Sequence, residues 1–256
     1  MIYPDINPVA LDLGFVQIYW YGLMYLLAFL SAYLLANYRA KNSSNWNKQQ
    51  IEDMIFYGAL GAVIGGRLGY MLFYNLSNFI SDPLLIFAVQ GGGMSFHGGF
   101  LGVLLAMYLF NRKYNKTFFV TMDFVAPLVP LGLGFGRIGN FINGELWGDI
   151  TTSPLGMYIQ SQGVSRHPSQ LYEAFLEGLV LFAILWIFSK KARPLMSTSA
   201  LFLIFYGIFR FIIEFVRLPD AHIGYLAFDW LTMGQVLSAP MVLLGLYLLK
   251  KSYKKS

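Results

Sequence analysis

Seven runs of apolar residues, separated by short polar connections, organise this chain. They lie at approximately 15–38, 51–74, 84–110, 118–135, 171–188, 200–216 and 231–249. A helix that crosses the hydrocarbon of a bilayer needs about 20 predominantly apolar residues, and a chain of this length has room for about seven of them. The pattern therefore predicts an all-α polytopic membrane protein with seven transmembrane helices, folded as a single integral membrane domain over residues 1–256. The third run is interrupted by GGGMSFHGG at 91–99. Glycines inside a span either let helices approach closely or unwind backbone that lines a cavity. Residues 1–14 carry no basic n-region, so they do not read as a cleaved signal peptide. There is no internal repeat and no low-complexity tract.

Composition agrees with the pattern. The chain is 57% hydrophobic and 12% charged, with a mean hydropathy of +0.55. Soluble domains carry about 25% charged residues, so these side chains do not suffice to build a water-facing surface. With no cysteine there is no disulfide, no thiolate metal site and no cysteine nucleophile. Any thiol chemistry would use a thiol brought by a partner.

The charges set an orientation. Arg39, Lys41 and Lys48, then Arg112, Lys113 and Lys116, then Lys190, Lys191 and Arg193, and finally Lys250, Lys251, Lys254 and Lys255 all fall on alternate connections. The positive-inside rule makes that side cytoplasmic, which puts the N-terminus outside and the C-terminus inside. The outward segments lie near 76–83, 136–168 and 218–230. Orientation accounts for the net charge of +5 without nucleic acid.

The five remaining basic residues are Arg67, Arg137, Arg166, Arg210 and Arg217, all arginine and all in outer halves of spans or outward connections. A guanidinium offers a planar fork of donors suited to phosphate and stays charged. Five of them against the charge trend point to an anionic ligand in the outer leaflet. The plainer reading pairs them with Glu145, Glu173, Glu177 and Glu214. Arg137 belongs to the most informative stretch, GRIGNFINGELWG at 136–148, where Asn140, Asn143 and Glu145 stand among glycines at the end of an apolar run. Polar groups are costly there unless they bind something.

Further along, YGIFRFIIEFVR at 206–217 spaces Tyr206, Arg210, Glu214 and Arg217 on one face of a predicted helix. His97 is read at mid-span, either as a proton acceptor or as an interhelical hydrogen-bond partner. His167 and His222 fall in outward connections, and HPSQLYE at 167–173 reads as a helix start with Ser169 as its cap. Tyr21, Tyr70 and Tyr74 sit where interfacial anchors are expected, and Arg67 is one turn from Tyr70 and two from Tyr74. No set of side chains has metal-ligand spacing and no phosphate-loop lysine motif occurs.

With these residues in view the chain resembles the bacterial prolipoprotein diacylglyceryl transferases. The stretch at 136–148 carries the resemblance, supported by MSFHGG at 94–99, WYGLMY at 20–25, HPSQLYE at 167–173 and 206–217, so it runs from the first span to the last and covers essentially the whole chain. The resemblance implies a multi-pass enzyme of the bacterial inner membrane, without cofactor, whose outward segments are periplasmic and whose active site faces the outer leaflet. Its partners would be phosphatidylglycerol and a preprolipoprotein signal peptide with a lipobox cysteine. The diacylglyceryl group would pass to that cysteine as a thioether, the first step of lipoprotein maturation, with release of glycerol 1-phosphate. His97, Arg137 and Arg210 match the family's principal functional positions. Tyr21, Asn140, Glu145, Tyr206 and Glu214 match supporting ones, and Arg67, Tyr70, Tyr74, Asn143 and Arg217 join them as candidate substrate contacts. The connection 149–166 is short beside members with a larger outer head. A transporter for an anionic lipid would also want arginines and broken spans, but these arginines gather toward one leaflet. A receptor or purely structural membrane protein leaves the 136–148 cluster unexplained.

Overall fold

The computed structural model describes residues 1–41, 45–88, 92–219 and 224–254, so His222 and Gly91 lie outside the described residues. In chain order the helices are α1 (Trp20–Ala40), α2 (Lys48–Phe73), α3 (Leu76–Ser81), α4 (Phe96–Tyr114), α5 (Phe118–Val125), α6 (Val129–Ile142), α7 (Ser169–Glu173), α8 (Leu181–Phe188), α9 (Ser197–Ile213) and α10 (Met233–Lys254). A 3-10 turn joins α5 to α6, and a π-helical turn (Ala174–Val180) joins α7 to α8. Each of the seven apolar runs contains a helix. Five stretches among the described residues are long and apolar enough to cross a membrane: α1, α2, Phe118–Ile142, Ser169–Phe188 and α10. Large apolar side chains such as Leu26, Phe56, Ile64, Leu105 and Leu243 stand outward on the helices, as expected where lipid is the solvent.

The third run departs from its expected extent. Helix α4 begins only at Phe96, because the Ser95 hydroxyl accepts the Gly98 N–H at 3.2 Å and caps the first turn. Ahead of it, Gly92 and Gly93 adopt φ of +74° and +81°, a region closed to a continuing helix of L-residues. His97 is therefore in the first turn of α4 and not at mid-span. The all-α expectation also misses two short antiparallel hairpins, β1 (Val9–Asp12) with β2 (Gln17–Tyr19) and β3 (Met157–Ile159) with β4 (Val164–Arg166). In the first, the Asp12 carboxylate accepts the Gly14 N–H at 2.8 Å and the Gln17 amide at 3.0 Å. Those two bonds hold its carboxyl below the usual range.

The chain divides into two compact units, residues 33–121 and residues 1–32 with 122–256. In the first, α2 and α4 pack small residue against small residue. A Cβ on Gly65 would lie 2.8 Å from Gly102 Cα, and one on Gly69 would lie 2.7 Å from Gly98 Cα. Such contact lets backbones approach where hydrophobic burial gives no advantage over lipid. The other unit holds a buried aromatic pair, Tyr3 and Trp147, with the half-buried Phe141 packed against it. The Tyr3 hydroxyl donates to the carbonyls of Phe141 (3.0 Å) and Ile142 (3.1 Å), satisfying the free end of α6.

Candidate active site

In the larger unit, three of the five arginines converge on one carboxylate. Glu173, fully buried at the end of α7, accepts Arg210 Nη1 at 2.6 Å and Arg217 Nη1 at 2.7 Å through Oε1. Arg137 Nε lies 2.7 Å from Oε2, yet that oxygen receives no well-aligned hydrogen bond. Arg137 thus contributes charge more than a directed bond, and its side chain is the most exposed of the three at 22%. Glu214 holds Arg210 Nη2 at 2.5 Å and lies 3.7 Å from Arg217 Nε. Its other oxygen accepts the Thr232 hydroxyl at 2.5 Å. The pairing anticipated for Glu214 and Glu173 is present; the pairing of an arginine with Glu145 is not.

Glu145 serves the asparagines instead. Its carboxylate accepts Asn140 Nδ2 at 2.9 Å and Asn143 Nδ2 at 3.2 Å. This follows from where α6 ends: Asn143 caps the helix, and Gly144 and Leu146 turn the chain back with φ of +68° and +59°. The returning loop is then tied on two sides. Gly148 N–H donates to His167 O at 2.8 Å and Asp149 N–H to Val216 O at 2.9 Å. Ser169 Oγ donates to Leu146 O at 2.8 Å, and Gln170 Nε2 donates to Glu145 O. Ser169 therefore fastens the loop, and no side-chain cap closes the start of α7. A Cβ at Gly148 would sit 2.8 Å from His167 Cβ, so only glycine fits.

Arg217 also differs from expectation. Helix α9 ends at Ile213, so Arg217 is not on its face; a bridge to Gly148 in the returning loop places it. Tyr206, one turn before Arg210, is close enough to Arg210 and Glu177 to feel their charges. The ring of Tyr21 fills the space over Gly139, where a Cβ would come within 2.8 Å of it, and its hydroxyl interacts with Asn140. Arg166 donates to Gln162 Oε1 and Gly148 O, outside the cluster.

The other unit holds the remaining candidates. Arg67 is 5% exposed, and each of its five N–H groups reaches a carbonyl: Ile86 at 3.1 Å, Gly92 at 2.6 Å, Gly93 at 3.0 Å, Leu85 at 2.6 Å and Ala88 at 2.8 Å. No donor is left for a headgroup in this arrangement. The guanidinium also lies 5.6 Å from the Tyr70 ring centroid, and Tyr70 stacks on the exposed Tyr74 at 6.1 Å. His97 is exposed, edge-on to Phe96 at 5.6 Å.

Residues 8–250 match the family model of prolipoprotein diacylglyceryl transferase. The chain belongs to that family. It is 56% identical over 257 residues to a protein of Pseudomonas paraeruginosa named phosphatidylglycerol–prolipoprotein diacylglyceryl transferase, covering 100% of this chain and 97% of the relative. A protein of the same name from Acinetobacter baumannii is 55% identical over 260 residues, covering 100% of this chain and 96% of its own. The diacylglyceryl transferase family thus accounts for the whole length, and the protein is a transferase with membrane helices.

Sequence reasoning named Glu173 only as one possible partner among four, whereas it is the hub of the cluster. A signal was present. Glu173 and Glu177 are one helical turn apart in a span with no cation, so their partners must come from other helices.

Proposed function

We propose that this chain transfers the diacylglyceryl group of phosphatidylglycerol to the lipobox cysteine thiol of a preprolipoprotein, forming a thioether and releasing glycerol 1-phosphate. The observation that carries this reading, beside the family, is the convergence of Arg137, Arg210 and Arg217 on Glu173. The proposed site faces the outer leaflet of the bacterial inner membrane, in a chain of seven spans with its N-terminus periplasmic and its C-terminus cytoplasmic. Single cysteines introduced into this cysteine-free chain, labelled from either side, test that orientation.

The chemistry asks two things of the residues. The carbon–sulfur bond forms as the carbon–oxygen bond to phosphate breaks, and its electron pair leaves on the phosphate oxygen. Arg137 and Arg210 stabilise that growing charge in a medium of low dielectric, with Arg217 beside them. Glu214 orients Arg210, while Glu145, Asn140, Asn143 and Tyr21 fix the loop that returns from α6. Tyr206 lines the same face. Arg67, whose donors all reach carbonyls, acts by placing the backbone ahead of α4, with Tyr70 and Tyr74 stacked beside it. The thiol, with a pKa of about 8.5 when free, must also lose its proton. His97 accepts it in this reading. For His97→Asn the rate should fall near neutral pH and recover at alkaline pH; activity equal to the parent at every pH would remove the imidazole from the reaction.

The decisive assay incubates purified protein with phosphatidylglycerol and a lipobox peptide and weighs the peptide. A mass increase equal to a diacylglyceryl group is expected. An unmodified peptide, with lipid moved between leaflets, would favour a transporter instead.

A further inference from the structure

One carboxyl group in the arginine cluster has no work in the scheme so far. Glu177 sits in the π-helical turn between α7 and α8 and is 1% exposed. Neither of its oxygens has a hydrogen-bond partner, and the nearest ion-pair contact is Arg210 Nη1 at 4.0 Å. The groups facing it are Arg137 from α6, Glu173 from α7, Tyr206 and Arg210 from α9, and Arg217 just beyond α9. Every other carboxylate of the cluster is engaged at 2.7 Å or closer. A π-helical turn is an uncommon backbone frequent at functional sites, and a buried polar group without a partner is costly enough to call for a role.

The charges give it one. Arg137, Arg210 and Arg217 carry three positive charges, and Glu173 and Glu214 carry two negative ones. With Glu177 neutral, the cluster has one positive charge in excess, equal to the single charge of a phosphodiester. With Glu177 ionised, the excess vanishes. A bound anion also repels a carboxylate beside it and so favours the neutral acid. We propose that Glu177 couples a proton to the anion held by the arginines: it is neutral while the phosphate group is bound and charged when the site is empty. It acts through the arginines as a positioning residue. The idea rests on the phosphate-clamp reading above, with the phosphatidylglycerol headgroup as the anion.

The test uses full-length protein in detergent with short-chain phosphatidylglycerol, and glycerol 1-phosphate as competitor. Calorimetry in buffers of different ionisation enthalpy counts protons taken up on binding. The parent should take up as much as one proton per lipid over part of the pH range, and across that same range its affinity should fall by up to tenfold per pH unit. Glu177→Gln, a neutral isostere, should bind with no proton uptake and no such pH dependence. In it, glycerol 1-phosphate should inhibit more strongly at alkaline pH, with kcat reduced more than KM. Proton uptake unchanged in Glu177→Gln, or no uptake by the parent at any pH, would overturn the proposal. The second measurement needs no variant, so a Glu177→Gln protein that fails to fold leaves the test intact. Binding that survives Arg137→Ala unchanged would instead reject the phosphate clamp itself.

Discussion

Guanidinium groups are buried in two ways in this protein, and the contrast separates a binding site from a fastening. In the larger unit Arg137, Arg210 and Arg217 rest on carboxylates. In the unit of residues 33–121, Arg67 rests on five carbonyls, with no ion pair among the described residues. A carboxylate and a phosphate are alternative partners for the same fork of donors, so an arginine on a carboxylate can exchange one anion for another at modest cost. An arginine enclosed by carbonyls has no anion to exchange. Its five directed bonds specify the path of the chain around it, which here is residues 85–88 and 92–93 ahead of α4.

The largest effect that follows concerns Arg137 and Arg210. Arg137→Ala removes the loosest guanidinium, and Arg210→Ala the one shared by Glu173 and Glu214. Each should lower the rate of thioether formation by at least about a hundredfold, the usual cost of one lost contact to a developing anion. Both proteins should still insert into the membrane. Normal labelling of a lipobox peptide by either variant would remove the phosphate clamp. Glu173→Gln tests the same region from the other side. It leaves three cations without their common counter-ion, so stability should fall by about 3–5 kcal/mol, read as a lower midpoint of thermal unfolding in detergent. If the midpoint holds and activity alone falls, Glu173 is a ligand-side residue and not the hub of the cluster.

How much of this was legible in the residues depends on whether a partner is near in sequence. The seven apolar runs announced their helices, and the i, i+4 pair Arg210 and Glu214 was readable as such. What could not be read was set by chain reversal. Positive φ at Gly144 and Leu146 turns the loop so that Glu145 meets two asparagines and no arginine. The end of α9 at Ile213 moves Arg217 off the helix face, and only its bridge to Gly148 returns it to Glu173. Arg67 misled for a different reason. Its spacing from Tyr70 and Tyr74 was correctly seen, but main-chain carbonyls leave no trace in side-chain identity. The glycines at 61, 65 and 69 drew no reading in the sequence, because their four-residue spacing means close packing only with Gly98 and Gly102 opposite.

Smaller effects should follow at Arg67, and their character should differ. Arg67→Ala leaves up to five carbonyls without donors, so amide exchange at residues 85–88 and 92–93 should accelerate markedly. Activity should fall by roughly tenfold, the equivalent of about 1.4 kcal/mol at the barrier, through loss of order ahead of α4. A loss as deep as that of Arg137→Ala, with exchange at residues 85–88 and 92–93 unchanged, would mean that Arg67 meets the lipid directly and that the two classes of arginine are one.

The mildest change sharpens the distinction most. Lysine keeps the charge but offers three donors from one point, where arginine offers five from a planar fork. If Arg67 matters for its fork, Arg67→Lys should behave much like Arg67→Ala in amide exchange, because three donors from one point cannot replace five directed bonds from a planar group. If Arg137 matters chiefly for charge, as its poorly aligned approach to Glu173 suggests, Arg137→Lys should retain a measurable part of the activity that Arg137→Ala loses. Charge would then be sufficient at one arginine and insufficient at the other. The reverse outcome, rescue by lysine at position 67 and none at 137, would assign the clamp to the carbonyl-held arginine and leave the carboxylate cluster a structural role.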